Sequence, residues 1–205
     1  KIIKNLLDNP VPFEPHIVCE NLTSEFDLYW PSLTLDENEI VLTTLVPRHI
    51  EDFNRSHYLP KNSREFQEDF CMSRKVDGEW GPLTPIEGIN RPDSNEGAQA
   101  LSADGQWMFL TICGRSDSYG SCDLYFSRRT ETGWSSPVNI GAPVNTPGWE
   151  SQPCFSADGQ TLYFVSNRQG GKGAHDIWSS KIESFTEEGL PKFGPVINLG
   201  DSINT

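Results

Sequence analysis

Two carboxylates stand at matching places in this chain. Glu96 and Glu150 lie 54 residues apart, and Trp149 adjoins the second. A carboxylate beside an aromatic at the start of a strand can bind a cation, a sugar or a peptide. It can equally accept hydrogen bonds from a neighbouring backbone or hydroxyl, as buried polar groups do. Paired acids are also the tools of glycoside hydrolysis, which needs no fixed spacing in sequence. A second group lies between Pro47 and Gln67: Arg48, His49, Glu51, Asp52, Arg55, His57, Tyr58, Lys61 and Arg64. Long loops on a rigid scaffold are frequent contact sites, and a solvated surface loop is the plain alternative. His49 and His57 have metal-ligating side chains, but nothing fixes their geometry. The five cysteines show no CxxC spacing, so no metal or cofactor is expected.

Signatures of catalysis are missing. Gly114-Arg-Ser116-Asp-Ser118 lacks the second glycine of a nucleophile elbow. HExxH and GxxxxGK[ST] do not occur. The Gly170-Gly-Lys-Gly173 run joins two strand-like segments, with no helix behind it to hold a phosphate. The sequence therefore reads as a non-enzyme, with Trp149, Glu150, Glu96, Arg48, His49, His57 and Tyr58 as candidate binding residues.

The elements that would hold these residues repeat. Asp104-Gly105 and Asp158-Gly159 each sit between apolar runs, a strong hairpin signal. Asp36-Glu37-Asn38 is a weaker copy. Trp80 and Trp134 are again 54 apart, and Asp123 and Asp176 are 53 apart. A period of this length points to an array of blade-sized units. Each unit holds four strand-length runs: about 29–35, 39–45, 69–75 and 79–86; 97–102, 106–112, 122–129 and 133–140; 151–156, 160–166, 175–182 and 193–199. No helical period is sustained. The fold class is all-β, a propeller of four-stranded antiparallel blades. A β-sandwich would not need the same turn chemistry every 54 residues.

The blades are placed at about 24–90, 91–145 and 146–205, after a lead-in over 1–11. Residues 12–23 are expected to form the outer strand of a closing blade. Three blades and one strand fall short of the roughly four to eight that close a ring, so the ring is expected to be incomplete in this chain. Within the repeat, Asp104, Gly105, Asp158 and Gly159 are expected to build turns. Arg115 with Asp123, and Arg168 with Asp176, are expected to pair across loop bases. Trp80, Trp134 and Phe193 open the outer strand, each with a proline soon after, as an edge tolerates.

Composition narrows the partners. The net charge of −13 disfavours nucleic acid and anionic membranes. No apolar run approaches the length of a membrane span, and Lys1-Ile-Ile-Lys-Asn does not read as a signal peptide. Cys113 and Cys122 close one strand and open the next, so they can face each other as a disulfide; two unpaired thiols are the alternative. If the bond forms, the compartment is oxidising. Cys19, Cys71 and Cys154 are expected in strands, as small buried apolar residues.

The run Ser-Ala-Asp-Gly-Gln-Thr-Leu-Tyr-Phe-Val-Ser-Asn-Arg…Gly-Gly…Asp-Ile-Trp over 156–178 resembles the TolB-type, WD40-like propeller repeat. The likeness extends over residues 12–205. The phrase Pro-Val-Asn-Ile-Gly…Val-Asn-Thr and the segment from Cys113 to Tyr125 resemble, more narrowly, propellers of Bacteroidetes OmpA-family envelope lipoproteins, among them the PorE-type lipoproteins of the type IX secretion system. That resemblance implies a periplasmic location, a lipid anchor outside this chain, other envelope proteins as partners, and peptidoglycan contact through a further domain. A carbohydrate- or peptidoglycan-fragment-binding domain, or an accessory domain of a hydrolase, is the alternative. The chain departs from the pattern at Leu28, where the other units have glutamate, at Gln99, where they have proline, and in the insertion after Pro47.

Overall fold

The computed structural model describes Glu14, residues 18–48 and residues 66–205. Among these residues the regular structure is β, apart from a 3-10 turn at Glu20–Leu22. The first blade comprises β1 (Leu28–Leu33), β2 (Glu39–Pro47), β3 (Phe66–Val76), β4 (Glu79–Trp80) and β5 (Thr84–Pro85). The second comprises β6 (Asn95–Leu101), β7 (Trp107–Cys113), β8 (Cys122–Thr130), β9 (Gly133–Trp134) and β10 (Val138–Asn139). The third comprises β11 (Glu150–Phe155), β12 (Thr161–Ser166), β13 (Asp176–Phe185), β14 (Pro191–Phe193) and β15 (Ile197–Asn198). Strands within each blade pair antiparallel in chain order, and both short outer pieces pair with the third strand. Ends fall within three residues of the predicted ranges.

The outer strand is split for a chemical reason. Pro82, Pro137 and Pro195 interrupt it, and proline has no N–H for the ladder. The preceding carbonyls of Gly81, Ser135 and Gly194 instead accept from the hydroxyls of Ser73, Ser127 and Ser180, at 2.8, 2.6 and 2.8 Å. The inner strands carry a repeated irregularity. Register shifts in β1, β6 and β11 coincide with left-handed residues Trp30 (φ 56°), Ala98 (φ 48°) and Gln152 (φ 59°). A bulge turns one N–H away from its own ladder. Here Ala98 N–H donates to Thr43 Oγ1, and Gln152 N–H to Thr111 Oγ1, each at 3.2 Å in the preceding blade. Gln99, the proline substitute, donates to the carbonyls of Trp30 (2.7 Å) and Val41 (2.8 Å). The bulges thus tie one blade to the next.

Alternation along each strand supplies the cores between blades. Met108, Leu110 and Ile112 of β7 face Val41 and Phe70 of the first blade. Phe109, one residue out of phase, joins Leu124, Phe126, Leu162, Phe164 and Trp178 between the second and third blades. Each fully buried large side chain contributes about 1.5–3 kcal/mol. A third cluster of Ile40, Leu42, Cys71 and Trp80 lies on the other face of the first blade, packed by Cys19, Leu22 and Leu28.

Two expectations are corrected. The described part of the predicted opening strand, residues 18–23, forms a bend and a 3-10 turn, and Cys19 caps that turn through its sulfur rather than sitting in a strand. The rest of 12–17, apart from Glu14, lies outside the described residues. Cys154 is exposed on β11, past the bulge at Gln152, while Pro153 beside it is buried. Cys71 is buried on β3. Among the described residues no helix is long and apolar enough to cross a membrane.

Candidate interaction face

The hairpin turns between first and second strands share one construction. Asp36, Asp104 and Asp158 each accept a hydroxyl two residues back, from Thr34 (2.6 Å), Ser102 (2.5 Å) and Ser156 (2.5 Å). Each also accepts the backbone N–H two residues on, at 3.0–3.1 Å. Gly105 and Gly159 supply the positive φ, 67° and 69°. In the first blade Glu37 takes that conformation at φ 56°, so its divergent turn has the same shape.

On the opposite face, the expected Arg–Asp pairs across the loop bases do not form. Asp123 accepts from the N–H of Tyr119 (2.6 Å) and Gly120 (3.1 Å) and from the Asn139 amide (2.7 Å). Asp176 is bound in the same way by the N–H groups of Lys172 and Gly173 and by Asn198. These carboxylates are filled by loop amides, which leaves the arginines to other partners. Arg168 donates to the carbonyls of Pro143 (3.1 Å) and Val144 and reaches Glu150 at 3.4 Å. Arg48, directly after β2 in the first blade, bonds Pro92 O (2.8 Å) in the linker to the second, Asn95 (3.3 Å) and Gln67 (3.2 Å). Arg115 folds onto Asp117 (3.0 Å) and over the Tyr125 ring (4.9 Å). Repeated asparagines complete the frame. The side-chain amides of Asn90, Asn145 and Asn204 pair with both backbone groups of Phe70, Leu124 and Ile177.

Glu96 and Glu150, at the starts of β6 and β11, are both wholly buried. Glu150 accepts from Thr146 N–H (2.8 Å), Thr146 Oγ1 (2.7 Å) and Ser166 Oγ (2.7 Å), besides Arg168. Its oxygens are occupied by the chain itself, so it stands as a structural acceptor. Glu96 has fewer partners, the Ser94 hydroxyl and Arg91 N–H at 3.4 Å. The ladder sets it opposite Ile112, where Glu150 faces Ser166. Burial pushes its carboxyl up to about 7.

Beside the exposed Arg91–Asp93 and Lys172–Asp201 pairs, this face presents aromatic side chains. Trp149, half-buried, meets exposed His175 edge-on at 5.1 Å, and the Trp149 backbone N–H donates to Asn167 Oδ1 at 2.9 Å. Tyr119 is 57% exposed in the loop of the second blade. That loop is closed by a disulfide between Cys113 and Cys122, directly paired residues with Cα atoms 4.0 Å apart. Sequence reasoning singled out Trp149 but missed His175 and Tyr119. Both lie between the glycines or serines of the second-to-third-strand loops, and only the fold brings His175 to Trp149. His49, His57 and Tyr58 lie outside the described residues. Among the described residues no group of three or more His, Cys, Asp or Glu could hold a metal ion.

No protein-family model matches the chain, and no curated protein does. Solved structures do. A protein of unknown function from Dyadobacter fermentans matches with a TM-score of 0.50 and 17% identity, over 85% of this chain and 56% of that one. TolB from Acinetobacter baumannii gives 0.49 and 16%, over 87% and 33%. The periplasmic gluconolactonase of Pseudomonas aeruginosa gives 0.46 and 14%, over 84% and 42%. The chain thus spans between a third and just over half the length of these structures. At such identities a likeness speaks only to fold. That fold, carried by the strand pairing itself, is a β-propeller of four-stranded antiparallel blades, three of which lie among the described residues.

Proposed function

We propose that this propeller is a non-catalytic scaffold in a bacterial cell envelope, which holds protein partners through the face bearing Trp149, His175 and Tyr119. One observation carries the reading. The charged residues that repeat with the blades are spent on construction, while the exposed aromatics of this face stand on loops fixed by buried carboxylates and a disulfide. Aromatics held rigid cost little entropy on binding and dominate interface energetics. A disulfide fits an oxidising compartment such as the periplasm. The repeat motif further supports placement beside an OmpA-like, peptidoglycan-associated lipoprotein domain, of the PorE type in a type IX secretion assembly. Capture from envelope extracts tests this. The chain as bait should retain specific proteins, and Trp149→Ala with His175→Ala should lose them while keeping the native near-UV spectrum. Capture unchanged by those substitutions contradicts the reading.

A further inference from the structure

The turn face, opposite the one above, carries two equivalent clefts between blades, and they are filled differently. Between the first and second blades the cleft is framed by the Asp36 and Asp104 turns. The chain's own Arg129 enters it. Its guanidinium pairs with buried Glu39, lies 4.0 Å from the Trp134 ring centroid and donates to Gly105 O at 3.4 Å. One repeat on, Trp107 stands where Glu39 was and Ile182 where Arg129 was. The second cleft, about 390 Å³, is therefore empty of any internal cation. Its walls are Trp107, Phe155, Ile182 and Phe185, and its rim carries Asp104 and Asp158. Trp107 and Phe185 lie 4.6 Å apart, centroid to centroid, and Phe185 is 39% exposed. In both rim turns Oδ1 takes the turn hydrogen bonds, and Oδ2 has no hydrogen-bond partner among the described residues.

We infer that this second cleft is a docking site for a cationic side chain, arginine foremost, presented by a protein partner. Aromatic faces attract a guanidinium through their quadrupole, and the two rim carboxylates complement its charge. In the first cleft an internal arginine already rests on a carboxylate and an aromatic ring, Glu39 and Trp134, the two chemistries that the second cleft offers through other residues. The Ser156 hydroxyl and Gln160 N–H hold the Asp158 carboxyl below the usual range, so it is charged at neutral pH. Lys181 exerts its field on Asp158 but does not line the cleft. The net charge of −13 adds long-range attraction for a basic partner. The inference stands independently of the Trp149 face.

The test is a titration of the purified, isotope-labelled chain with acetyl-Gly-Arg-Gly-amide, followed at the Trp107 indole N–H by nuclear magnetic resonance. The same peptide with citrulline, isosteric but uncharged, is the control. Saturable shifts at Trp107, absent with citrulline and weakened about fivefold or more in D104N/D158N, are expected. Asparagine keeps an Oδ1 acceptor for the turn. Phe185→Ala, on the exposed wall, should weaken binding in a chain whose remaining indole resonances are unmoved. A flat titration, equal shifts with citrulline, or shifts that survive both variants overturn the inference.

Discussion

At the scale of single residues, two glutamates at one repeat position have different fates because their neighbours differ. Glu150 has Ser166, Thr146 and Arg168 around it; Glu96 has Ile112 opposite and one hydroxyl. Asp69 lies near enough to raise the Glu96 carboxyl further, and Arg115 opposes it, but burial dominates. The folded state thus holds a proton that the unfolded chain releases near the ordinary glutamate value. Its contribution to stability is complete below that value and is lost as pH rises through about 7. The loss is at most about 3 kcal/mol. Glu96→Gln, which cannot ionise, should flatten the fall in melting temperature between pH 5 and 8; a wild-type profile in the variant would refute the assignment. Arg168→Met should cost about 3 kcal/mol in urea unfolding, because it leaves the Glu150 carboxylate buried without its cation. A loss under about 0.5 kcal/mol would mean that the hydroxyls alone suffice.

At the scale of elements, the blades are held by side chains that imitate backbone. The Asn145 amide pairs with both groups of Leu124, extending the β8 ladder where the linker has no strand to offer. Asn145→Ala should destabilise the fold by about 1–3 kcal/mol, with Leu124 N–H exchanging faster, since a buried pair is left unmade. The hairpin loop of β7 and β8 is stapled by Cys113 and Cys122. Reduction should lower stability by about 2–3 kcal/mol in the chain-entropy account. It should also loosen the Tyr119 loop, seen as faster amide exchange there; unchanged exchange would show that the Asp123 bonds alone hold the loop.

At the scale of the whole molecule, strand order was legible because turn chemistry recurs every 54 residues. Asp-Gly turns, serine hydroxyls and outer-strand prolines are local signals, and local signals repeat visibly. Contacts between blades were not legible. Ala98 meets Thr43, and Gln99 meets Trp30, across separations of 55 and 69 residues. Nothing in the residue types announces a left-handed alanine. The same blindness misassigned the charged candidates. Arg168 and Asp176 looked like a pair from spacing, but the carboxylate was claimed by loop amides that no pattern displays. Of the candidate face, Trp149 stood out through its neighbour Glu150, whose carboxylate the fold buries and fills with Thr146, Ser166 and Arg168.

The central claim is that binding resides on the loop face while the repeated carboxylates build the scaffold. Quantitative capture of envelope proteins by wild-type, W149A/H175A and E96Q chains tests it most directly. The account predicts that W149A/H175A loses its partners at native fold and that E96Q keeps them. Capture that survives W149A/H175A but fails in E96Q, or a hydrolytic activity abolished by E96Q, would contradict it.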